Sequence, residues 1–264
     1  MSRAVVVSIV TPTLDAERYL ESCLASVAEQ QIVELEHIVV DGGSTDRTLE
    51  IASRYQHVEV LRRDRTNQSE AINAGLRHAR GEVVTWLNAD DAYVPGALAF
   101  VVETLQQHPG IDVLYGDCQV IGPEGERLWW ERPGPYDFRK LLRDGNYLAQ
   151  PSLFLRRRVF ERIGYLDESL EYGMDFDLWL RLRGLRVEYT PRTLACFRWH
   201  PDSKSCGSPL ENWHALMHIL RKHGGGWTPR LAWAFARCLI STGRIRLGAS
   251  MTGSIPLRPL TRGT

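Results

Sequence analysis

Two adjacent acids follow an apolar run in the sequence, a pattern that suits a metal ion. Asp90 and Asp91 come after the run Val83–Leu87, with Asn88 and Ala89 between them. Carboxylates this close repel one another unless a cation lies beside them. Mg²⁺ and Mn²⁺ prefer oxygen ligands and typically bind one or two carboxylates together with the phosphates of a substrate. The segment therefore predicts a divalent metal site, although a solvated loop that caps the next helix would explain it nearly as well.

A second candidate ligand is Asp41, which opens the segment Asp41-Gly-Gly-Ser-Thr-Asp46 after the apolar run His37–Val40. The two glycines and the small polar residues that follow them are typical of a tight turn into a capped helix. That interpretation leaves Asp41 unexplained. Its carboxylate can accept a hydrogen bond from the imide N–H of a uracil-type base, and we expect it to bind a ligand.

Two further acids, Asp175 and Asp177, stand at the start of a predicted helix from Met174 to Arg183. Negative charge is stabilised at a helix N-terminus, so helix capping explains either acid as well as catalysis does. Their spacing does not choose between them. His200 lies in a segment with several cations, where a surface position is a commoner explanation for a histidine than a ligand role.

The elements that must position these residues alternate as in parallel βαβ units. The predicted strands and the helices between them are Val5–Thr11, Ala16–Ala28, His37–Val40, Asp46–Tyr55, Val58–Leu61, Ser69–Ala79 and Val83–Leu87. Strands made almost entirely of Val, Ile and Leu indicate a sheet covered on both faces. Ligands bind beyond the carboxyl ends of such strands, so Thr11, Asp41 and Asn88 should meet at one edge.

The composition limits the class of protein. With 264 residues and 44% hydrophobic content, the chain can form one large α/β domain with a sizeable core, and it is neither disordered nor fibrous. The 32 Lys and Arg balance the 32 Asp and Glu, so no nucleic-acid partner is predicted. Five scattered cysteines are expected to be reduced thiols: Cys23, Cys118, Cys196, Cys206 and Cys238. The apolar runs are too short for a signal peptide or a membrane span, which predicts a soluble or peripheral protein.

The second half of the chain is punctuated by Gly and Pro after Asp117, which indicates a transition to a second lobe. Two tail helices are predicted, Leu210–His223 and Arg230–Leu247. The last of them combines apolar residues with Arg230, Arg237, Arg244 and Arg246. This composition suits either a helix at a membrane interface near a lipid-linked acceptor or a packed helix with a basic outer face.

Taken in order, these segments resemble family-2 glycosyltransferases of the GT-A fold over most of residues 5–206. The resemblance rests on an ordered set of landmarks: Val10–Thr13, Asp41–Asp46, Asp90 with Asp91, Gln150–Ser152, Met174–Arg181, and His200 with Ser203 and Ser205. It implies an α/β fold, a Rossmann-like sheet with helices on both faces, a small acceptor-side lobe and C-terminal helices. Residues 1–118 would be the nucleotide-sugar-binding half, 119–206 the acceptor-side and catalytic half of the same domain, and 207–264 a helical tail.

The resemblance also implies roles for single residues. Thr11, Pro12 and Asp41 would line the nucleotide base, and Asn88, Asp90 and Asp91 would form a DxD-type site for Mn²⁺ or Mg²⁺. Asp91 would be the metal ligand and Asp90 would lie near the ribose or sugar, with the reverse assignment open. His200 would lie over the metal and diphosphate, and Asp175 would be the catalytic base. Gln68 would touch the donor from the start of its helix, which a capped amphipathic helix explains equally well.

By the same resemblance, the chain is expected to be an inverting, metal-dependent transferase of bacterial surface polysaccharide or glycolipid assembly. It would use a nucleoside-diphosphate sugar, UDP-type favoured, and a saccharide or lipid-linked acceptor. It would be cytoplasmic, or peripheral at the inner face of the plasma membrane through its C-terminal helix. Asn88 and Met174 stand where the family usually has Asp and Glu, which favours the alternative of a catalytically impaired nucleotide-sugar-binding module. A sugar-nucleotide pyrophosphorylase would need a basic, Gly-rich loop, which Thr11–Asp15 lacks.

Overall fold

The computed structural model of the protein describes residues 7–30, 32, 34–204 and 209–246. Several residues that enter the predictions above lie outside the described residues, namely Val5, Val6, Ser205, Cys206 and Leu247, together with the side chains of Arg244 and Arg246. The four described cysteines, Cys23, Cys118, Cys196 and Cys238, are free thiols. Among the described helices, none is both long and apolar enough to cross a bilayer.

A single mixed sheet of nine strands runs through the described part of the chain. The strands are β1 Val7–Thr13, β2 Leu35–Asp41, β3 Val58–Arg62, β4 Val83–Trp86, β5 Ala92–Tyr93, β6 Val113–Ile121, β7 Arg127–Glu131, β8 Leu153–Arg156 and β9 Val187–Arg198. Their order is β3-β2-β1-β4-β8-β6-β9-β5, and β7 pairs with β6 at the side. The first four strands in the chain are parallel to one another, as predicted.

The register of β1 brings the candidate strand ends to one edge. Thr13 pairs with Asp41 of β2, and Val10 pairs with Trp86 of β4. The strand continues two residues past its predicted end at Thr11, because Pro12 and Thr13 find partners in β2. The turns that follow β1, β2 and β4 therefore leave the sheet side by side.

Helices cover both faces of the sheet. They are α1 Leu20–Ala28, α2 Thr48–Ser53, α3 Gln68–His78, α4 Ala97–Gln107, α5 Phe138–Asp144, α6 Arg158–Ile163, α7 Met174–Arg181, α8 Pro209–Lys222 and α9 Pro229–Arg246, with a short 3₁₀ turn at Gln150–Ser152. One core cluster joins the sheet to α3, α7 and α8, and another joins it to α1 and α4. The predicted α/β sheet with helices on both faces is confirmed.

Helix α3 shows how closely these layers approach. Asn67 and Glu70 form a reciprocal capping box that satisfies free N–H groups at the start of the helix. Further along, a Cβ atom at Gly75 would lie 2.4 Å from Cγ1 of Val10, so only glycine fits where the helix crosses β1. The capped-helix interpretation of this segment is therefore correct, and the cap fixes where Gln68 stands.

The second half of the chain returns to the same sheet. β8 is inserted between β4 and β6 and runs antiparallel to both. β6 passes through residue 118, the predicted boundary between the two halves, without interruption. On the adjoining face, α8 and α9 bury Trp213, Met217, Leu220 and Leu231 in the core cluster of α3 and α7. The tail helices are thus packed on the domain.

Candidate active site

A cleft of about 410 Å³ opens beyond the carboxyl end of β4. Its lining comes from the start of α3, the turn after β4, the loop after α5, the start of α7 and the facing sides of α8 and α9. Four predicted site residues line it together: Gln68, Asn88, Asp90 and Asp175. The other five are buried and do not line it: Thr11, Pro12, Asp41, Asp91 and His200.

Asn88 is the centre of a chain of amide hydrogen bonds that forms the floor of the cleft. Its Oδ1 accepts from Nε2 of Gln68 at 3.0 Å, and its Nδ2 donates to Oε1 of Gln150 at 3.2 Å and to Oδ2 of Asp91 at 3.3 Å. Gln150 in turn donates to the backbone oxygen of Trp86 at 2.7 Å. An aspartate at position 88 could not donate to either acceptor. The amide therefore suits this floor, where a third carboxylate would face Asp91.

The two acids after β4 have different environments. Asp91 is 1% exposed, and its Oδ1 accepts from the backbone N–H of Arg198 at 2.9 Å. Burial, followed by the charge of Asp90, raises the pKa of Asp91 well above its usual range. The side chain of Asp90 is 28% exposed and its Oδ2 lies 3.0 Å from Nε2 of His200. Asp90 is thus accessible to a ligand, whereas Asp91 holds the turn against β9.

His200 and Arg198 brace this turn from the end of β9. The imidazole of His200 packs 4.8 Å from the ring of Tyr19, and its Nδ1 is buried without a partner among the described residues. The guanidinium of Arg198 lies over the ring of Tyr19, 4.8 Å from its centroid, and donates to the backbone oxygen of Asp90. The structure therefore brings His200 to Asp90, and a role of either residue in metal binding stays a prediction. Tyr19 and Arg198 carried no signal in the sequence that marked them as supports.

The residues predicted to line a nucleotide base lie behind the cleft wall. The carboxylate of Asp41 is fully buried and accepts from the backbone N–H groups of Gly43 at 3.1 Å and Ser44 at 3.2 Å. The hydroxyl of Thr11 lies 2.9 Å from Nε2 of His37, whose pKa burial lowers to about 3. Asp41 therefore shapes its own turn, and its contact with a base stays a prediction.

Asp175 reaches the cleft from the first turn of α7. It is half-buried, and its Oδ2 accepts from Nδ2 of Asn146 at 3.0 Å. Burial raises the pKa of its carboxyl above the usual value, against the opposing effect of hydrogen bonds from the Phe176 N–H and Asn146. Gly173 caps the helix with φ 72°, and a Cβ atom there would lie 2.8 Å from Cδ1 of Ile219. Close contact with α8 thus fixes the position of Asp175.

Asp177, in contrast to Asp175, does not line the cleft. Its carboxylate is fully buried and is held by Nε of Arg181 at 3.0 Å, Nζ of Lys222 at 2.9 Å and Nε2 of His223 at 2.9 Å. Burial acts to raise the pKa of Asp177, but the hydrogen bonds from His223 and Lys222 and the charge of Arg181 lower it on balance. Asp177 therefore ties α7 to the end of α8.

Replacing Asp177 with Ala should lower the free energy of unfolding by about 3 kcal/mol, since Arg181, Lys222 and His223 then lose their buried partner. The folded-state pKa of Asp177 is depressed, so this stabilisation is present at neutral pH and is lost as the pH falls through that pKa. Urea unfolding of the two proteins at pH 7 and at pH 3 measures it. A stability difference that stays constant between the two pH values would contradict the ion-pair explanation.

Sequence reasoning missed several residues of the cleft. Asn146 lines it without belonging to any recognisable pattern, and Lys204 lines it from the segment of His200, where no role was predicted for the lysine. Trp179 of α7 is fully buried and stacks on Trp86 in the core, whereas Trp213 of α8 lines the cleft. Its only signal in the sequence was its place in an amphipathic helix.

A complete metal site is not built by protein side chains alone in the described part of the chain, where no three His, Cys, Asp or Glu residues are grouped for that purpose. Asp90 and His200 form a pair with one carboxylate oxygen and one imidazole nitrogen at 3.0 Å. Divalent ions in phosphate-transferring sites commonly take one or two protein carboxylates and complete their coordination with substrate phosphates and water. The pair fits an ion of that kind.

Sequence comparisons with known proteins all point to the same class of protein. The model of the family described as "Glycosyl transferase family 2" matches residues 8–164. An uncharacterized glycosyltransferase of Rickettsia typhi is 29% identical over 226 residues, which cover 80% of this chain and 70% of that protein. A "PGL/p-HBAD biosynthesis glycosyltransferase" of Mycobacterium bovis is 35% identical over 181 residues, 66% of this chain and 68% of that protein. The chain spans only 38% of a third relative, from Rickettsia felis.

Two solved structures share the architecture. TarS of S. aureus, residues 1–349 in complex with UDP-GlcNAc, superposes with a TM-score of 0.67 at 19% identity, over 93% of this chain and 76% of that one. The mannosyltransferase PcManGT of Pyrobaculum calidifontis, in complex with GDP-Man and Mn²⁺, gives 0.64 at 21% identity, over 98% and 79%. At these identities the likeness establishes the fold, and the predicted GT-A architecture is confirmed.

Proposed function

The chain belongs to glycosyl transferase family 2, and we propose that it moves a sugar from a nucleoside-diphosphate sugar to an acceptor hydroxyl with inversion. One observation carries the proposal. Asp175, a half-buried carboxylate with a raised pKa, and Asp90, an accessible carboxylate paired with an imidazole, line the same cleft. A base for the acceptor and an anchor for the leaving group are the two parts that such a transfer needs.

At the donor end, Asp90 and His200 would hold Mn²⁺ or Mg²⁺. Such an ion supplies Lewis-acid stabilisation of the charge on a departing diphosphate. The burial of Asp91 favours Asp90 as the protein's main ligand, the reverse of the assignment preferred from the sequence. Lys204 lines the same cleft and offers a further cation to the phosphates. UDP and GDP sugars in complexes of similarly folded proteins support a nucleotide-sugar donor, with the UDP type favoured.

The remaining donor contacts follow the amide chain. Gln68 and Asn88 offer amide groups to the ribose or the sugar from the floor of the cleft. Thr11, Pro12 and Asp41 would lie against the base, where the turn after β2 leaves the sheet beside the end of β1. Residues 1–118 would thus bind the donor, and residues 119–206 would supply Asp175. The tail from 207 adds α8 and α9 as the far wall.

At the acceptor end, Asp175 would take the proton from the attacking hydroxyl. The acceptor oxygen forms a bond to the anomeric carbon while the bond from that carbon to the diphosphate oxygen breaks, and the nucleoside diphosphate leaves on the opposite face. A base works best when its pKa lies near the working pH, and burial moves Asp175 in that direction. Asn146 donates to Oδ2 of this carboxylate and would hold the group so that its other oxygen faces the acceptor.

The hydrogen bond from Asn146 also predicts a pH effect. It stabilises the charged form of Asp175, so replacing Asn146 with Ala should raise the pKa of the base further. Because the base acts when deprotonated, the acidic limb of kcat/KM against pH should move to higher pH while the plateau changes by a few-fold. Asn212→Ala, a change at another amide of the cleft, is the matched control. Superimposable acidic limbs for the three proteins would refute the role of Asn146.

A donor panel tests the function as a whole. Incubation with UDP-, GDP- and dTDP-sugars and Mn²⁺, without an acceptor, should reveal slow hydrolysis of one donor. Binding of a donor without any turnover would instead support the impaired nucleotide-sugar-binding module. Formation of a nucleotide sugar from a nucleoside triphosphate and a sugar phosphate would support a pyrophosphorylase.

The cellular setting is part of the proposal. A relative named for PGL/p-HBAD biosynthesis supports a role in the assembly of surface polysaccharides or glycolipids. Work on the cytoplasmic side, with peripheral contact at the membrane, would suit such a role. Trp233 of α9 is 49% exposed, and the guanidinium of Arg237 lies 4.7 Å from its ring centroid. Flotation with anionic liposomes, compared between the protein and its Trp233→Ser variant, tests this contact.

A further inference from the structure

The cleft has two chemically different halves. The floor near β4 carries amides and carboxylates, which the proposed donor would occupy. The wall that α8 and α9 contribute is mostly apolar, and its side chains are Trp213, Leu216, Leu231 and Ala234, with Asn212 as the polar exception. A site for an unsubstituted sugar chain would offer polar side chains to the hydroxyl groups of the sugar. Such a site selects its substrate through these hydrogen bonds and rejects molecules that lack the hydroxyl groups.

This apolar wall begins beside the proposed base. A Cβ atom at Gly145 would lie 3.5 Å from Cδ2 of Leu231 and 3.8 Å from Cδ1 of Leu216. The next residue in the chain, Asn146, donates its hydrogen bond to Asp175. Consecutive Cα atoms are about 3.8 Å apart. A molecule with a hydroxyl at Asp175 can therefore place its adjoining part against α8 and α9.

Trp213 adds a rigid aromatic ring to this wall. The residue is 6% exposed, and its indole N–H is buried. The ring is held between Trp227, stacked at 6.4 Å, and Phe235, edge-on at 5.2 Å. Because the N–H is covered, the ring offers an apolar surface to a ligand in the cleft.

We propose that the acceptor is a hydroxyl carried on an apolar group, which lies between α8 and α9 while the hydroxyl reaches Asp175. The ring of Trp213 packs against this apolar group. This inference rests on the proposed function, because only a transferase has an acceptor. The choice of occupant follows from the continuity of the apolar wall with the base.

A series of acceptors tests this on the unmodified protein. Alkyl glycosides from methyl to octyl are compared below their micelle concentrations, with the donor identified in the panel. Each added methylene that enters the apolar half should lower the acceptor KM about fourfold until that half is filled. An acceptor KM that is the same along the series would overturn the proposal.

Two variants of α9 localise the effect. Ala234 lines the cleft, whereas Ala236 on the same helix is exposed and outside the lining. Ala234→Glu should raise the KM for octyl glycoside at least tenfold and flatten the series, with a much smaller change in the donor KM. Ala236→Glu adds the same charge and should leave both constants and the donor hydrolysis unchanged. Equal effects of the two substitutions would overturn the proposal.

If no donor is hydrolysed, the proposed function fails, and the inference is then tested by binding alone. Octyl glycoside should quench tryptophan fluorescence in the unmodified protein at concentrations where glucose does not, and Ala234→Glu should weaken this quenching. Equal responses to octyl glycoside and glucose would overturn the inference.

Discussion

Replacing Asp175 with Asn is expected to lower the rate of transfer by about 10²–10⁴-fold, the usual contribution of a positioned general base. The amide preserves the size of the side chain and can still accept the hydrogen bond from Asn146. It cannot take a proton from the acceptor. The rate is measured as kcat with saturating donor and acceptor, and donor affinity is measured by calorimetry with the same protein.

The matched control for this change is Glu171→Gln. Glu171 is exposed at the rim of the same cleft, so its substitution removes an equal charge without removing the base. Its transfer rate should stay within a few-fold of the unmodified protein. Near-normal turnover by Asp175→Asn, or an equal loss in both variants, would show that Asp175 is not the base.

Replacing Asp90 with Asn should lower the affinity for Mn²⁺ by about 100-fold or more. The affinity is read from the dependence of turnover on Mn²⁺ concentration. Changes in the residues that merely support metal ligands already cost about 10–100-fold. The melting temperature should hardly change, because Asp90 is partly exposed. Asp91→Asn provides the contrast, since the buried amide can keep the hydrogen bond from the Arg198 N–H while it removes a carboxylate with a raised pKa.

Mn²⁺ titration of donor hydrolysis, with EDTA-treated protein as the starting point, measures both variants. We expect Asp91→Asn to keep its response to the metal and Asp90→Asn to lose it. The reverse result would restore Asp91 as the ligand, as preferred from the sequence. Full activity of the unmodified protein in EDTA would remove the metal from the mechanism.

The sequence contained enough to predict the sheet and the edge where the site lies. Runs of Val, Ile and Leu that alternate with amphipathic helices specify parallel strands, and the polar residues that follow those strands must gather at their carboxyl ends. Asn88 and Asp90 are found there, in the cleft, as predicted. Asp41 lies at the same edge but uses its carboxylate on the N–H groups of its own turn, a choice that local composition leaves open.

The remaining features depend on contacts between distant parts of the chain. Asp175 and Asp177 are two residues apart on a helix and so point in nearly opposite directions. Which of them faces the cleft is decided by Lys222 and His223, which lie at the end of α8 and pair with Asp177. The support of Asp175 by Asn146 and the insertion of β8 between β4 and β6 are likewise non-local. No periodicity in the sequence encodes such pairings.

The apolar wall of the cleft comes from α8 and α9, whereas its floor comes from the turn after β4. The wall and the turn after β4 belong to segments more than a hundred residues apart in the chain, so substitutions can accumulate in one without disturbing the other. A lineage of such enzymes could exchange acceptors by drift in its last two helices while keeping one donor. Chimeras that swap 209–246 between relatives would need to retain the residues that α8 and α9 bury in the core, together with Ile219, Lys222 and His223, which contact α7 and its first turn.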